Sequence, residues 1–205
     1  MKTGGLGYMV NQGSRGMVDM LLAESFKELA CRQPVEKITI KAITDRAGVI
    51  RPTFYNHFQD KYELLEWIIK KDIIEPTHPL FQNGMTEQAM QLMLAAMERD
   101  KEFYCMVVKT NGQNSFASIA QKCIQELLEQ LFDAKLKTAA KKAKSKWWTK
   151  EHLAAYYAQS LCYLVENWLQ SGMLLPAKEM TDVYMYIMKH SIDDVLDDLP
   201  ETMEK

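Results

Sequence analysis

An all-α fold is predicted for this 205-residue chain, and three observations predict it. Apolar residues recur at spacings of three and four, the period of one helical face, along most of the length. Helix breakers are scarce: of the nine Gly, five fall within the first 16 residues, and there are only six Pro. No stretch alternates apolar and polar residues long enough to form a half-buried strand, and no internal repeat is present. With 47% hydrophobic residues the chain has material for a core, and its length suits one domain or a small one plus a larger. About nine helices are expected from the periodic segments.

Residues 1–16, MKTGGLGYMVNQGSRG, have no period and read as a flexible arm. From Val18 to about Arg32, the residues Leu21, Leu22, Ser25, Phe26 and Leu29 share a helical face, with Pro34 just past its end. Thr39 is placed as the N-cap of a short helix, Ile40 to Ala47, with Ile38 and Ile43 as its hydrophobic staple and Gly48 as its stop. RPTFYNHF then predicts a second short helix, Arg51 to Phe58, in which Pro52 is tolerated because first-turn N–H groups need no intrahelical acceptor. Two short helices about a glycine turn make a helix-turn-helix candidate. Asp60-Lys61-Tyr62-Glu63 has the form of a capping box and opens a longer helix to about Ile74, with Pro76 and Pro79 ending it. Beyond lie helices at Thr86–Asp100, Lys101–Thr110, Phe116 to about Ala134 and Thr149–Gln170. A last one starts between Pro176 and Thr181 and ends near Asp197. Gly172 suits a left-handed C′ position.

The 25 Lys+Arg against 27 Asp+Glu, a net −2, exclude a histone-like coat of positive charge. Charge is nevertheless placed locally. Within 37–61, Lys37, Lys41, Arg46, Arg51 and Lys61 face only Asp45 and Asp60, a local +3. In the second short helix Phe54 and Phe58 lie four apart and share an inward face. Arg51, Thr53, Asn56 and His57 carry groups that can meet base edges or phosphates.

The stretch Thr39-Ile40-Lys41-Ala42-Ile43, Ala47-Gly48-Val49, Thr53-Phe54-Tyr55, His57-Phe58, Lys61 and Leu64-Leu65 resembles the DNA-binding domain of TetR-family transcriptional regulators. That resemblance covers roughly residues 17–73. It implies a helix-turn-helix DNA-binding domain at 17–75, with three helices, and a larger helical effector-binding and dimerisation domain at 76–205. By position, Thr39, Tyr55, His57 and Lys61 would touch phosphate, and Arg51, Thr53 and Asn56 would read bases. Where the family often has Ser or Asn before the reading helix this chain has Ile50, which offers no side-chain cap. The resemblance implies a homodimer on a palindromic double-stranded DNA operator, controlled by a small-molecule effector or a protein partner. RDKEFYCMVV, GQNSF and ENWLQSGM resemble the branch that includes the activator of dihydroxyacetone kinase operons, which gives an alternative: a regulator acting mainly through a coactivator protein, with weak DNA affinity alone.

Two apolar sets remain. Leu153, Tyr157, Leu161, Leu164 and Trp168, with Val183, Tyr184, Ile187, Ile192 and Val195, are candidates for the dimer interface, since the family pairs such helices in an intersubunit bundle. Met90, Met93, Met97, Phe103, Tyr104, Phe116 and Trp168 are candidates for a ligand pocket, because thioethers adapt to varied shapes. Seven lysines between Lys135 and Lys150 read as a solvated helix end and loop, with Trp147 and Trp148 anchoring the next helix. No nucleophile elbow, HExxH motif or metal-ligand spacing occurs, and His57, His78, His152 and His190 lack partners at such spacing. Neither an enzyme nor a cofactor or metal is expected. Four scattered Cys and the lack of an 18-residue apolar run predict a cytoplasmic chain with no membrane partner.

Overall fold

The structure, a computed structural model, describes the backbone of residues 5–139, 147 and 149–198, and side chains within 16–133, 147 and 149–198. Trp148, Glu201, Glu204 and most of the lysine run lie outside the described residues. All regular structure described is helical: α1 (Gly5–Ala30), α2 (Ile40–Ala47), α3 (Arg51–Tyr55), α4 (Lys61–Ile69), α5 (Glu75–Gln82), α6 (Thr86–Arg99), α7 (Lys101–Val107), α8 (Phe116–Ala139), α9 (Lys150–Gln170), α10 (Ala177–Lys189) and α11 (Ile192–Asp197). A 3-10 turn at Val35–Lys37 joins α1 to α2.

Helix α1 begins well before Val18. It extends back to Gly5, because once its core-facing turns are nucleated each added residue needs only one further hydrogen bond. Its buried stripe is Leu22, Ala23, Phe26 and Ala30, while Leu21 faces solvent. Thr39 caps α2 as expected, its Oγ1 accepting from the Ala42 N–H at 3.1 Å, and Ile38 and Ile43 are both buried beneath it. Gly48 closes α2 at φ 70°, a left-handed turn that lets the Val49 N–H return to the Thr44 carbonyl. Helix α3 stops at Tyr55 rather than Phe58, with Asn56 as its C-cap.

The predicted stop at Pro76 and Pro79 is wrong. Helix α4 runs through a π turn (Lys70–Ile74) directly into α5. In that wider turn the Glu75 N–H donates to the Lys70 carbonyl, so Pro76 enters at the first turn of a fresh segment, where its missing N–H has no acceptor waiting. Buried Thr77 donates its hydroxyl to the Ile73 carbonyl at 2.7 Å. The last predicted helix is also two. His190 turns extended, and Ser191 and Asp194 form a reciprocal capping box that starts α11.

Helices α1 to α4 bury Phe26, Ile43, Phe54, Phe58, Leu64 and Leu65 in one small core, and this core is continuous with that of α6 to α10. Helix α8 packs along α9, α10 lies on α6, and α4 rests on both α1 and α8. The α4–α5 rod is thus the shared wall between the two ends. Two ion clusters hold it: Lys27 of α1 reaches Asp72 at 2.5 Å and Asp100 at 3.1 Å, and Lys122 of α8 reaches Glu66 at 3.1 Å.

Candidate nucleic-acid interface

Helices α2 and α3 meet at the Gly48 turn. Phe54 and Phe58 are driven inward, with Phe54 packed on Phe58 and the ring centroids of Phe58 and Trp67 6.1 Å apart. The opposite face of α3 is therefore outward, and it presents Arg51, Pro52, Tyr55 and Asn56, all exposed, beside half-buried Thr53. The Arg51 guanidinium lies 6.0 Å from the Tyr55 ring and donates to its hydroxyl at 3.3 Å, which holds it on this face. Thr39 stands exposed at the N-terminus of α2, its hydroxyl proton still available to a phosphate oxygen. Five of the expected DNA-contacting residues, Thr39, Arg51, Thr53, Tyr55 and Asn56, thus come together around the two short helices.

Two do not. Lys61, expected on phosphate, donates to the carbonyls of Val35, Glu36 and Ile38 at 2.7, 2.9 and 2.9 Å. All three of its hydrogens are used inside the chain, where they clamp the turn leading into α2. Burial draws this ammonium below its usual range, against a partial opposing pull from Glu36 and Asp60. His57 places Nδ1 2.6 Å from Asp19 of α1, with little of its side chain exposed, and so ties the end of α3 to α1. The local charge is redistributed in the same way, with Lys41 paired to Asp45 and Arg46 to Glu28. Of the five cations of this segment, only Lys37 and Arg51 keep their charge without a carboxylate or carbonyl partner among the described residues.

Residues 25–68 match the family described as bacterial regulatory proteins, tetR family, and residues 85–190 match its transcriptional regulator C-terminal region. The chain belongs to the TetR family. It is accordingly a DNA-binding transcriptional regulator, with α2 and α3 as its helix-turn-helix. Among its relatives is the HTH-type dhaKLM operon transcriptional activator DhaS of Lactococcus lactis subsp. lactis (strain IL1403), 25% identical over 169 residues that cover 80% of this chain and 86% of the relative. The solved structure of a dihydroxyacetone kinase operon activator DhaS shares the fold with a TM-score of 0.55, at 21% identity over 84% of this chain and 92% of the other. NalD, the secondary repressor of the MexAB-OprM multidrug efflux pump in Pseudomonas aeruginosa, does so at 0.54 and 17% identity, over 85% and 95%. Activators and repressors share this architecture.

In this TetR-family chain α5, α6, α8, α9 and α10 enclose a half-open cavity of about 230 Å³. Of the residues proposed for a ligand pocket, Met90 and Met93 line it. The other five pocket candidates do not. Phe103 and Tyr104 instead fill the junction of α1, α7 and α8, edge-on to Phe26 and Phe116 respectively, and Met97 is core. The Trp168 indole N–H donates to the Leu175 carbonyl, fixing the turn after α9. The cavity is completed by Leu127, Leu131, Met185 and Met188, and by three residues expected at a dimer interface: Tyr157, Leu161 and Tyr184. Burial, with weaker contributions from Tyr157 and Cys162, pushes the Tyr184 phenol up to about 12, so it stays a neutral donor.

The interface candidates divide by burial. Leu161, Trp168 and Tyr184 are buried within the single chain, and Leu164 packs on its core, so internal contacts already occupy them. Leu153, Tyr157 and Val195 are half-buried, while Val183, Ile187 and Ile192 are exposed. Tyr163 (72% exposed) and Leu174 (81%), which sequence periodicity did not single out, extend the exposed apolar surface. Among the described residues no helix is long and apolar enough to cross a membrane, and no cluster of three or more His, Cys, Asp or Glu could hold a metal ion.

Proposed function

We propose that the chain is a homodimeric regulator that reads a two-fold symmetric operator with one α2–α3 pair per subunit, and whose grip on that operator depends on the occupancy of the apolar cavity. The two-part division at about residue 75, with reading in 17–75 and control in 76–205, belongs to this proposal. The observation that carries it is the outward face of α3, where Arg51, Thr53 and Asn56 stand together beside Tyr55, with exposed Thr39 at the N-cap of α2. Arg51 then reads a guanine, Asn56 an adenine, and Thr39 and Tyr55 hold phosphates. Exposed Val183, Ile187, Ile192 and Tyr163 supply the partner face, and a two-fold dimer matches the half-site spacing that a helix-turn-helix needs.

Among the described residues the cavity lining carries no charged side chain, and its polar side-chain atoms are the thioether sulfurs and the hydroxyls of Thr86, Tyr157 and Tyr184. A charged ligand would lose its hydration there without a partner, so the effector is a neutral, mainly apolar molecule with a group that meets a hydroxyl. An activating mode is supported by the relative whose name is that of a transcriptional activator.

Mobility shifts on duplexes from upstream of its own and adjacent genes, at several salt concentrations and with and without candidate effectors, test the reading. A shifted fragment is expected whose affinity falls with salt, and Arg51→Ala is expected to relax preference at one base pair at a cost of about 1–3 kcal/mol. No shift at low salt under any condition, or equal effects of Arg51→Ala on random and selected DNA, would refute it.

A further inference from the structure

Ile50 stands at the N-cap of α3, 68% exposed, with no side-chain cap bond. Ser, Thr, Asp or Asn at an N-cap stabilises a helix by about 1 kcal/mol relative to an apolar residue, so this chain forgoes that stability to expose a branched apolar side chain. The side chain is held in place. Its backbone is extended at φ −90°, ψ 154°, its carbonyl accepts from the Thr53 N–H at 2.9 Å, and β-branching restricts its χ1. It is also not a lone apolar residue on a polar surface, because exposed Pro52 and Tyr55 continue the same face, with the Arg51 guanidinium laid toward the Tyr55 ring.

The first residues of a helix-turn-helix reading helix are those that reach base edges. Here the N-cap and the first two helical positions are Ile50, Arg51 and Pro52, and Arg51 alone of these three has a side chain that hydrogen-bonds. Base edges in the major groove offer a single apolar group, the 5-methyl of thymine. Resting on the DNA-reading function proposed above, we infer that Ile50, supported by Pro52, is a specificity-determining residue that packs on a thymine methyl beside the guanine read by Arg51. Each half-site then carries an obligatory thymine that no hydrogen bond selects.

The test uses the full-length chain and duplexes it selects from a randomised pool. Each thymine is replaced in turn by deoxyuridine, which removes the methyl and keeps every hydrogen-bonding group, and Kd is read by fluorescence anisotropy. At one thymine per half-site the wild-type chain is expected to lose about fourfold, the factor that burial of one methyl group corresponds to. Ile50→Ala and Ile50→Ser lose a similar factor on the thymine operator and become indifferent to the uridine change, whereas Ile50→Val keeps the sensitivity. Melting temperatures check that the variants fold, and Ile50→Ser, which restores a cap, is expected to melt no lower than wild type. A chain that selects an operator but shows no methyl dependence at any thymine, or whose Ile50→Ala variant keeps that dependence, overturns the inference alone. Failure to select any sequence overturns the DNA-reading function beneath it.

Discussion

Lys61 illustrates how a side chain of the expected type serves another purpose once its neighbours are known. Its three bonds to carbonyls hold the entrance to α2, so Lys61→Met is expected to lower unfolding stability by about 1–3 kcal/mol, the cost of leaving such acceptors unpaired. Urea denaturation measures that loss. For the folded variant, the dependence of operator affinity on log salt should keep its slope; a slope smaller by about one would restore the phosphate contact instead. Thr39, Gly48 and Asp60 were legible in the sequence because their partners lie within five residues, where capping rules apply. Lys61 and His57 were not, because the carbonyls Lys61 binds lie 23, 25 and 26 residues away and the carboxylate of His57 lies 38 away, and no periodicity reports a contact between elements.

Helices show the same boundary between local and non-local information. The starts of α2, α4 and α9 were legible from Thr39, Asp60 and Thr149, each of which accepts a backbone N–H of its first turn. Ser191-x-x-Asp194 was an equally local signal for the start of α11 and was overridden by the apolar repeat running through it. The α4–α5 rod could not be foreseen, since two prolines argue against it and only a π turn reconciles them. That rod is held by ion pairs, which gives it a definite response to acid. Burial would raise the Glu66 and Asp100 carboxyls, but Lys70 and Lys122 for the first, and Lys27 with Arg99 for the second, outweigh it and hold both below their ordinary values. Their stabilisation is present above the unfolded values of 4.5 and 3.8 and is lost as pH falls through the depressed folded ones. The melting midpoint is therefore expected to drop on acidification in this window, and less so in Glu66→Gln, as calorimetry would record. An identical pH profile for the variant would remove Glu66 from the account.

The whole chain adds a surface and a cavity that no single element contains. Ile187 is exposed on α10 and touches nothing in the cavity. Ile187→Glu is expected to halve the mass seen by light scattering and to weaken operator binding at least tenfold, since separate subunits lose the linked second half-site. An unchanged mass would place the subunit contact elsewhere. Met188, on the cavity wall, offers the complementary test. The neutral fluorophore N-phenylnaphthylamine should bind more tightly than its sulfonated analogue, and Met188→Trp should reduce that binding without changing the helical circular dichroism. Equal affinity for the charged and neutral probes would contradict an apolar effector. The all-helical class, the reading helices and their turn were written in the amino-acid order, because period, caps and a left-handed glycine act between near neighbours. Burial is a property of every element at once, so the folded arrangement alone assigned Tyr157, Leu161 and Tyr184 to the cavity, left Ile187 and Tyr163 exposed, and turned Lys61 and His57 inward from the outward face of α3.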